Sequence, residues 1–482
     1  MVRDGRCSRV LLMQAQRSFF MLLILMLVSA LSLGSFASAD DTESKPNIVY
    51  IMADDLTHHD LGCYGGQALT PNMNKLAKQG VRMTRCFQAV PMCSPTRHNI
   101  YTGLYPVKSG AYPNHTFAKA GTKSIVHYLK PLGYRVALSG KNHVAPKSVF
   151  PFEYSGAKNP DMKVIENLMV ESKAAGTPFC LFACSNEPHS PWNKGDASRY
   201  PADKVKLPSC FVDTAETRKA FSKYLAEITY YDSQVGQIME LLEKHGLVDN
   251  TLVMVTSEQG SSFPFAKWTC YDAGLQSAMI CRWPGKIKAG SLSSAMVEYV
   301  DITPTFIEVA GGGTLKHLDG TSMLGVLQGK TKTHKDHVYG IMTTRGINNG
   351  SEHYGIRSVR SKTHKLIVNL TPELEFRNVF MKEDIFISWE KKATGGDAGA
   401  IALVKRFKHR PAIELYDLGK DPLEQTNIAS NPENAQVIKA LRIELDAWMK
   451  SQGELGQATE LDAKNHQGRG RSKKKKQSKQ NK

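Results

Sequence analysis

The chain has 482 residues, 41% of them apolar and 22% charged. That is enough to bury a large core, and it excludes both a disordered segment and a small cross-linked scaffold. The length allows roughly two to four domains, or one large α/β domain with an appendage. Much of the formal charge of +17 sits at the C-terminus, where nine Lys or Arg and no acid follow from Lys464 onward. With no nucleic-acid-binding motif beside it, this charge does not point to nucleic acid.

In chain order, Arg3, Arg6, Arg9 and Arg17 lead into an uncharged run, Phe19 to Ala39, that ends Ala37-Ser38-Ala39. Residues 1–39 read as a secretory signal peptide. The run is almost long enough to span a bilayer, so an uncleaved anchor is the alternative. The small-residue cleavage pattern favours removal, and hence export to a periplasmic, secreted or lysosome-like compartment.

"NIVYIMADD" then reads as a buried strand with Asp54 and Asp55 at its carboxyl end. Thr70 to Gly80 has an N-cap, a first-position proline and a glycine stop, so it reads as a short helix. "VRMTRCFQAV" is a second strand, followed by the Cys93 loop and a helix from about Ser94-Pro95. A helix in "TKSIVHYLKPLG" precedes a strand in "YRVALSG" and a loop, "KNHVAP", with Lys141 and His143. "PFCLFACSNEPHSPW" is a strand whose polar end holds His189. Glu216 to Gly246 is a long amphipathic helix, and "NTLVMVTSEQG" is a strand ending in Glu258 and Gln259, with Lys267 soon after.

This alternation predicts an α/β fold, a mostly parallel sheet sandwiched by helices, over 40–335. Polar residues collect at the carboxyl ends of the strands, the edge where such sheets bind ligands. From about His337 the pattern changes to two antiparallel strands in "HYGIRSVRSKTHKLIVNL", a strand in "AIELYDL" and a closing amphipathic helix. A smaller α+β subdomain is expected over 336–455. The tail, 456–482, is expected to be disordered; it either solubilises the chain or tethers it to polyanions.

Removing the signal peptide leaves eight cysteines, an even number that permits disulfides, at no zinc-site spacing. Asp54, Asp55, Glu258 and Gln259 are oxygen donors suited to a hard cation, Ca²⁺ or Mg²⁺. Arg97, Lys141, Lys267, His143 and His189 suit a tetrahedral oxyanion. Cys93 near a helix N-terminus is expected in a field that favours negative charge. Cation, anion clamp and nucleophile together describe hydrolysis of a sulfate or phosphate group.

"CSPTRHNIYTG" resembles the signature of the type I sulfatases, whose fold is that of alkaline phosphatase. The likeness runs from about Lys45 to Gly453. It implies that a formylglycine-generating enzyme converts Cys93 to Cα-formylglycine, whose hydrate supplies the nucleophilic hydroxyl. It implies that Asp54, Asp55, Glu258, Gln259 and the modified Cys93 hold Ca²⁺, with Arg97 orienting the hydrated aldehyde. Lys141, His143, His189 and Lys267 would bind sulfate, with His189 the candidate proton donor. The family usually has Asp then Asn or His where this chain has Glu258-Gln259, so each arm is one methylene longer.

"GKNHVAPKSVFPFEY" and "ELYDLGKDPLEQTNIASNP" are similar to the sulfamidase, or heparan N-sulfatase, branch. That likeness implies an N-sulfoglucosamine sulfohydrolase acting on heparan-type glycans. "CYDAGLQSAMICRWPGKI" is closer to general sulfatases and keeps a carbohydrate O-sulfatase as the nearest competitor. A phosphatase or phosphonate hydrolase of the same fold is a further alternative. A non-catalytic polyanion-binding protein is another.

Overall fold

The computed structural model describes residues 44–156 and 158–468. The expected signal peptide and the end of the basic tail lie outside them. No helix among the described residues is long and apolar enough to cross a membrane.

Nine strands build the large sheet: β1 (Asn47–Met52), β2 (Val81–Phe87), β3 (Arg135–Gly140), β4 (Glu153–Ser155), β5 (Phe179–Cys184), β6 (Thr251–Thr256), β7 (Gln276–Arg282), β8 (Ser291–Ser293) and β9 (Val297–Glu298). Their order is β4-β3-β5-β1-β6-β7-β2-β8, with β9 also on β2. All neighbours are parallel except β7, which runs antiparallel to β6 and β2. Central strands are near-continuous apolar runs because both faces are covered. In β1, Val49 and Ile51 enter one hydrophobic cluster while Ile48, Tyr50 and Met52 enter another. This is the two-residue period of a strand sorted onto two packed faces.

The smaller sheet is antiparallel, in the order of its strands β10 (Val338–Thr343), β11 (Gly355–Arg360), β12 (His364–Asn369) and β13 (Ile413–Asp417). The helix Ala435–Ser451 packs on β11 and β12. The chain stays ordered past Gly456, contrary to the expected tail boundary. Gln457–Asp462 is helical, with Thr459 and Glu460 buried. Glu460 takes a hydrogen bond from Thr343 and sits 4.0 Å from Arg357, so this segment has polar partners that a free tail lacks.

The eight described cysteines form no disulfide, so the even count carries no framework. Cys180, Cys184 and Cys281 lie inside strands with side chains in the core, where they act as small hydrophobes.

A buried ionic cluster joins the two sheets. Asp272, just before β7, accepts from Arg360 of β11 at 2.9 Å and from Lys365 of β12 at 2.7 Å. Lys365 also lies 3.4 Å from Glu424. Burial, only partly offset by Lys365, pushes Glu424 from 4.5 up to about 7. A raised carboxyl stabilises fully below its unfolded value, and that contribution is lost as pH rises through the folded one. Between pH 4.5 and about 7 the protein is therefore expected to lose on the order of 2 kcal/mol through this group. Urea melts across that range check it: Glu424→Gln should lack that part of the decline, and a wild-type slope in the variant would contradict the assignment.

Candidate active site

The strand ends are drawn together by backbone hydrogen bonds that continue past the sheet. Ala53 N–H donates to Thr256 O at 3.0 Å, and Asp54 N–H to Glu187 O at 3.0 Å. Asp54 and Asp55 are thereby fixed between the ends of β6 and β5. Lys141 N–H donates to Cys184 O at 2.8 Å. Just before it, Gly140 has φ +99°, and a Cβ there would lie 2.0 Å from Cys184 O, so only glycine passes this corner.

Cys93 is itself the first residue of the helix Cys93–Thr102, slightly ahead of the expected Ser94-Pro95 start, with Met92 extended before it. Ser94 Oγ donates to His143 O at 3.0 Å, tying this helix to the Lys141 loop. Trp268 N–H donates to Pro91 O at 3.0 Å, tying the Lys267 loop to the Cys93 turn. Residues far apart in sequence thus converge on one point.

That point is a cavity of about 430 Å³ lined by Cys93, Asp55, Lys141, His143, His189 and Lys267, among others. Asp54, Arg97, Glu258 and Gln259 do not line it, but each contacts a residue that does or one directly behind it. Lys141 Nζ pairs with Asp54. Lys267 Nζ lies 2.7 Å from the Asp55 carboxylate, and Gln259 Nε2 donates to Asp55 Oδ1 at 2.5 Å. Arg97, fully buried, lies 2.5 Å from Glu258 and donates to Lys141 O at 2.5 Å. His189 Nε2 stands 3.6 Å from Asp55.

The acids fit a cation. Asp54, Cys93 and Glu258 each bring a ligand atom within 4.8 Å of the others. Burial pushes Glu258 well above the usual carboxylate range, with Asp54 adding to the rise against Arg97 and Lys141. Burial opposes ionisation of Asp54 too, but Lys141, a hydrogen bond with Glu258, His189 and Lys267 hold it well below that range. Two buried carboxylates side by side call for a proton or a metal between them. Glu258 Oε2 and Gln259 Oε1 are buried with no hydrogen-bond partner. The oxygen end of the Gln259 amide is the end a hard cation takes. β6 stops at Thr256, two residues before Glu258.

Two electrostatic expectations change. Burial pushes the Cys93 thiol up to about 11, and Asp54 and Glu258 add to this against Lys141 and Lys267. The helix terminus therefore does not make Cys93 a thiolate, because desolvation and two carboxylates outweigh it. His143 is no cation: burial, then Lys141, Arg97 and His115, push it down to about 2. Its Nε2 lies 3.1 Å from His115 Nδ1.

His115 escaped sequence reading because it sits in an irregular loop with no strand to announce it. Trp192, Trp268 and Ser262 were missed for the same reason. Gly346–Asn348 and Val379, Phe380, Glu383 and Ile385 were missed as well, and they bring the smaller subdomain into the cavity wall.

Against known families, residues 46–312 match the sulfatase model. The chain belongs to the sulfatase family. The sulfatase is thus an enzyme that hydrolyses sulfuric esters, and the non-catalytic reading falls away. Residues 260–384 of the sulfatase also match the model described as N-sulphoglucosamine sulphohydrolase, C-terminal. It is 35% identical over 423 residues to an ulvan-active sulfatase of Formosa agariphila, covering 85% of this chain and 81% of that one. It is 25% identical to the N-sulphoglucosamine sulphohydrolase of Homo sapiens, covering 83% and 89% of the two chains. Its fold matches a structure solved with its substrate D-glucosamine-2-N,6-O-disulfate, with TM-score 0.65 and 20% identity over 85% of this chain and 98% of that one.

Proposed function

We propose that this sulfatase is exported and removes sulfate from a sulfated carbohydrate, with the N-sulfate of glucosamine in heparan-type glycans as its target. The observation that carries the reading is the composition of the cavity. The match to the N-sulphoglucosamine sulphohydrolase C-terminal model spans Lys267 and the wall segments Gly346–Asn348 and Val379–Glu383. Nine of the nineteen residues lining the cavity therefore fall in the stretch that resembles that branch.

In this reading Lys141 and Lys267 balance the sulfate charge inside a desolvated pocket, where fixed cations act most strongly. His143 orients a sulfate oxygen as a neutral ring. His189, partly exposed in the wall, hands a proton to the departing nitrogen or oxygen. Arg97 fixes the Lys141 loop and balances Glu258 from behind. Cys93, as formylglycine, supplies the nucleophilic oxygen. Asp54, Asp55, Glu258 and Gln259 would hold Ca²⁺, which supplies Lewis-acid charge beside that oxygen. The formylglycine-generating enzyme is then a partner during maturation, and the basic tail a secondary tether for polyanionic glycan.

The 35% identity to an ulvan-active sulfatase favours a second reading, an O-sulfatase on another glycan. A panel of N-, 3-O- and 6-O-sulfated glucosamines, 2-O-sulfated uronates and ulvan fragments separates the two. Sulfate release from N-sulfoglucosamine is expected. Release only from O-sulfated members would refute the N-sulfatase reading.

A further inference from the structure

The cavity is lined by two chemically unlike sets of residues. One carries Lys141, Lys267 and the histidines, to which the proposed function gives the sulfate. The other comes from the smaller subdomain and carries Ile347, Asn348, Phe380 and Glu383. Two acids line the cavity, Asp55 and Glu383. Asp55 is neutralised by Lys267 at 2.7 Å. Glu383 is exposed, and its carboxylate has no hydrogen-bond or ion-pair partner among the described residues. Glu383 precedes the helix Asp384–Thr394 with extended backbone and no side-chain capping bond, so capping does not explain it. Asn348 is exposed with an equally unengaged amide.

An unpaired carboxylate is an odd choice in a pocket built for an anion, unless the group reaching it is not an anion. We infer that Glu383, with Asn348, selects the far edge of the sulfated sugar: it accepts hydrogen bonds from hydroxyl or ammonium groups there and disfavours a second sulfate. This deepens the glycan reading and rests on it. About 430 Å³ is at the small end of ligand pockets, about 300–1,000 Å³, so a sugar sulfated on one edge presents its other edge to the opposite wall. In a pyranose, the C5–C6 edge lies across the ring from C2. A sulfate held at either edge therefore leaves the other facing Glu383. Like charges brought together in a partly desolvated cavity cost affinity, whereas a carboxylate meeting hydroxyl or ammonium donors gains charge-assisted hydrogen bonds.

The test uses the full-length enzyme turning over a simple aryl sulfate. N-sulfoglucosamine and D-glucosamine-2-N,6-O-disulfate are added as competitors, and free sulfate from the sugars is measured in the same reactions. Wild type should be inhibited about tenfold more tightly by the monosulfate than by the disulfate. Glu383→Gln should shrink that ratio about fivefold, and Glu383→Lys should bring it to unity or reverse it. Because Glu383 is exposed, both variants should fold, which thermal melts verify. A ratio unchanged within about twofold in both variants overturns the inference, as does failure of both sugars to compete. Competition without sulfate release from either sugar counts against the glycan substrate reading while leaving the Glu383 ratio to be judged on its own. Sulfate release with an unchanged ratio sinks Glu383 alone.

Discussion

Cys93→Ala is expected to abolish turnover, by at least about 10⁴-fold in kcat, while the protein remains folded. Cys93 is only 4% exposed and starts a helix whose other contacts do not use its sulfur. Truncating the thiol therefore costs about 1 kcal/mol, within the ordinary range for a point mutant. The activity loss has a different origin. With the thiol pushed up to about 11, cysteine chemistry at neutral pH has almost no thiolate to draw on. In the proposed mechanism the oxygen nucleophile is made from this residue. Peptide mass spectrometry on active enzyme from its native host should find an aldehyde, reactive to hydrazides, at position 93. An unmodified thiol in fully active enzyme would refute this, as would retained turnover in the alanine variant.

The second large effect concerns the acid cluster. Chelation is expected to remove activity and added Ca²⁺ to restore it. Cation at about 100 times its Kd should stabilise the fold by about 2.7 kcal/mol. The stabilisation follows from the geometry: Asp54 and Glu258 are buried side by side, and a cation offsets the burial and the Asp54 charge that push Glu258 well above the usual carboxylate range. Glu258→Gln should weaken cation binding at least about 100-fold. With the cation bound and Glu258 ionised, the substitution should also lower stability by about 3–5 kcal/mol, because the buried Arg97 guanidinium, 2.5 Å away, loses its counter-charge. Calorimetric titration of Ca²⁺ and thermal melts report the two losses separately. Wild-type Ca²⁺ affinity in the variant would remove Glu258 from the ligand set.

Much of this site was legible along the chain because strand ends are local features. An apolar run that stops at paired acids, as at Asp54-Asp55 or Glu258-Gln259, marks both the strand and the edge where its polar residues collect. A parallel sheet then brings such edges together whatever lies between them. The antiparallel β7 and the strand β10 were not legible: short apolar runs such as "SAMIC" carry no direction, which depends on which neighbours they pair with. The ordered segment Gln457–Asp462 was hidden by the charge of the residues after it. Its order comes from Glu460 meeting Thr343 and Arg357, more than a hundred positions earlier.

"CSPTRHNIYTG" singled out Cys93 as the candidate nucleophile, and the strand-end pattern set the candidate acids and cations beside it. The charge states were another matter. Burial and neighbours brought in from other strands push the Cys93 thiol up and the His143 ring down, and neither quantity has a signature in local sequence. The same holds for the far wall of the cavity. Asn348 and Glu383 lie in connecting segments of the smaller subdomain, and they meet Lys141, Lys267 and the histidines because its sheet is tied to the first through Asp272, Arg360 and Lys365. Chemistry that depends on residue type was written along the chain, while chemistry that depends on dielectric and on distant charge required the packed molecule.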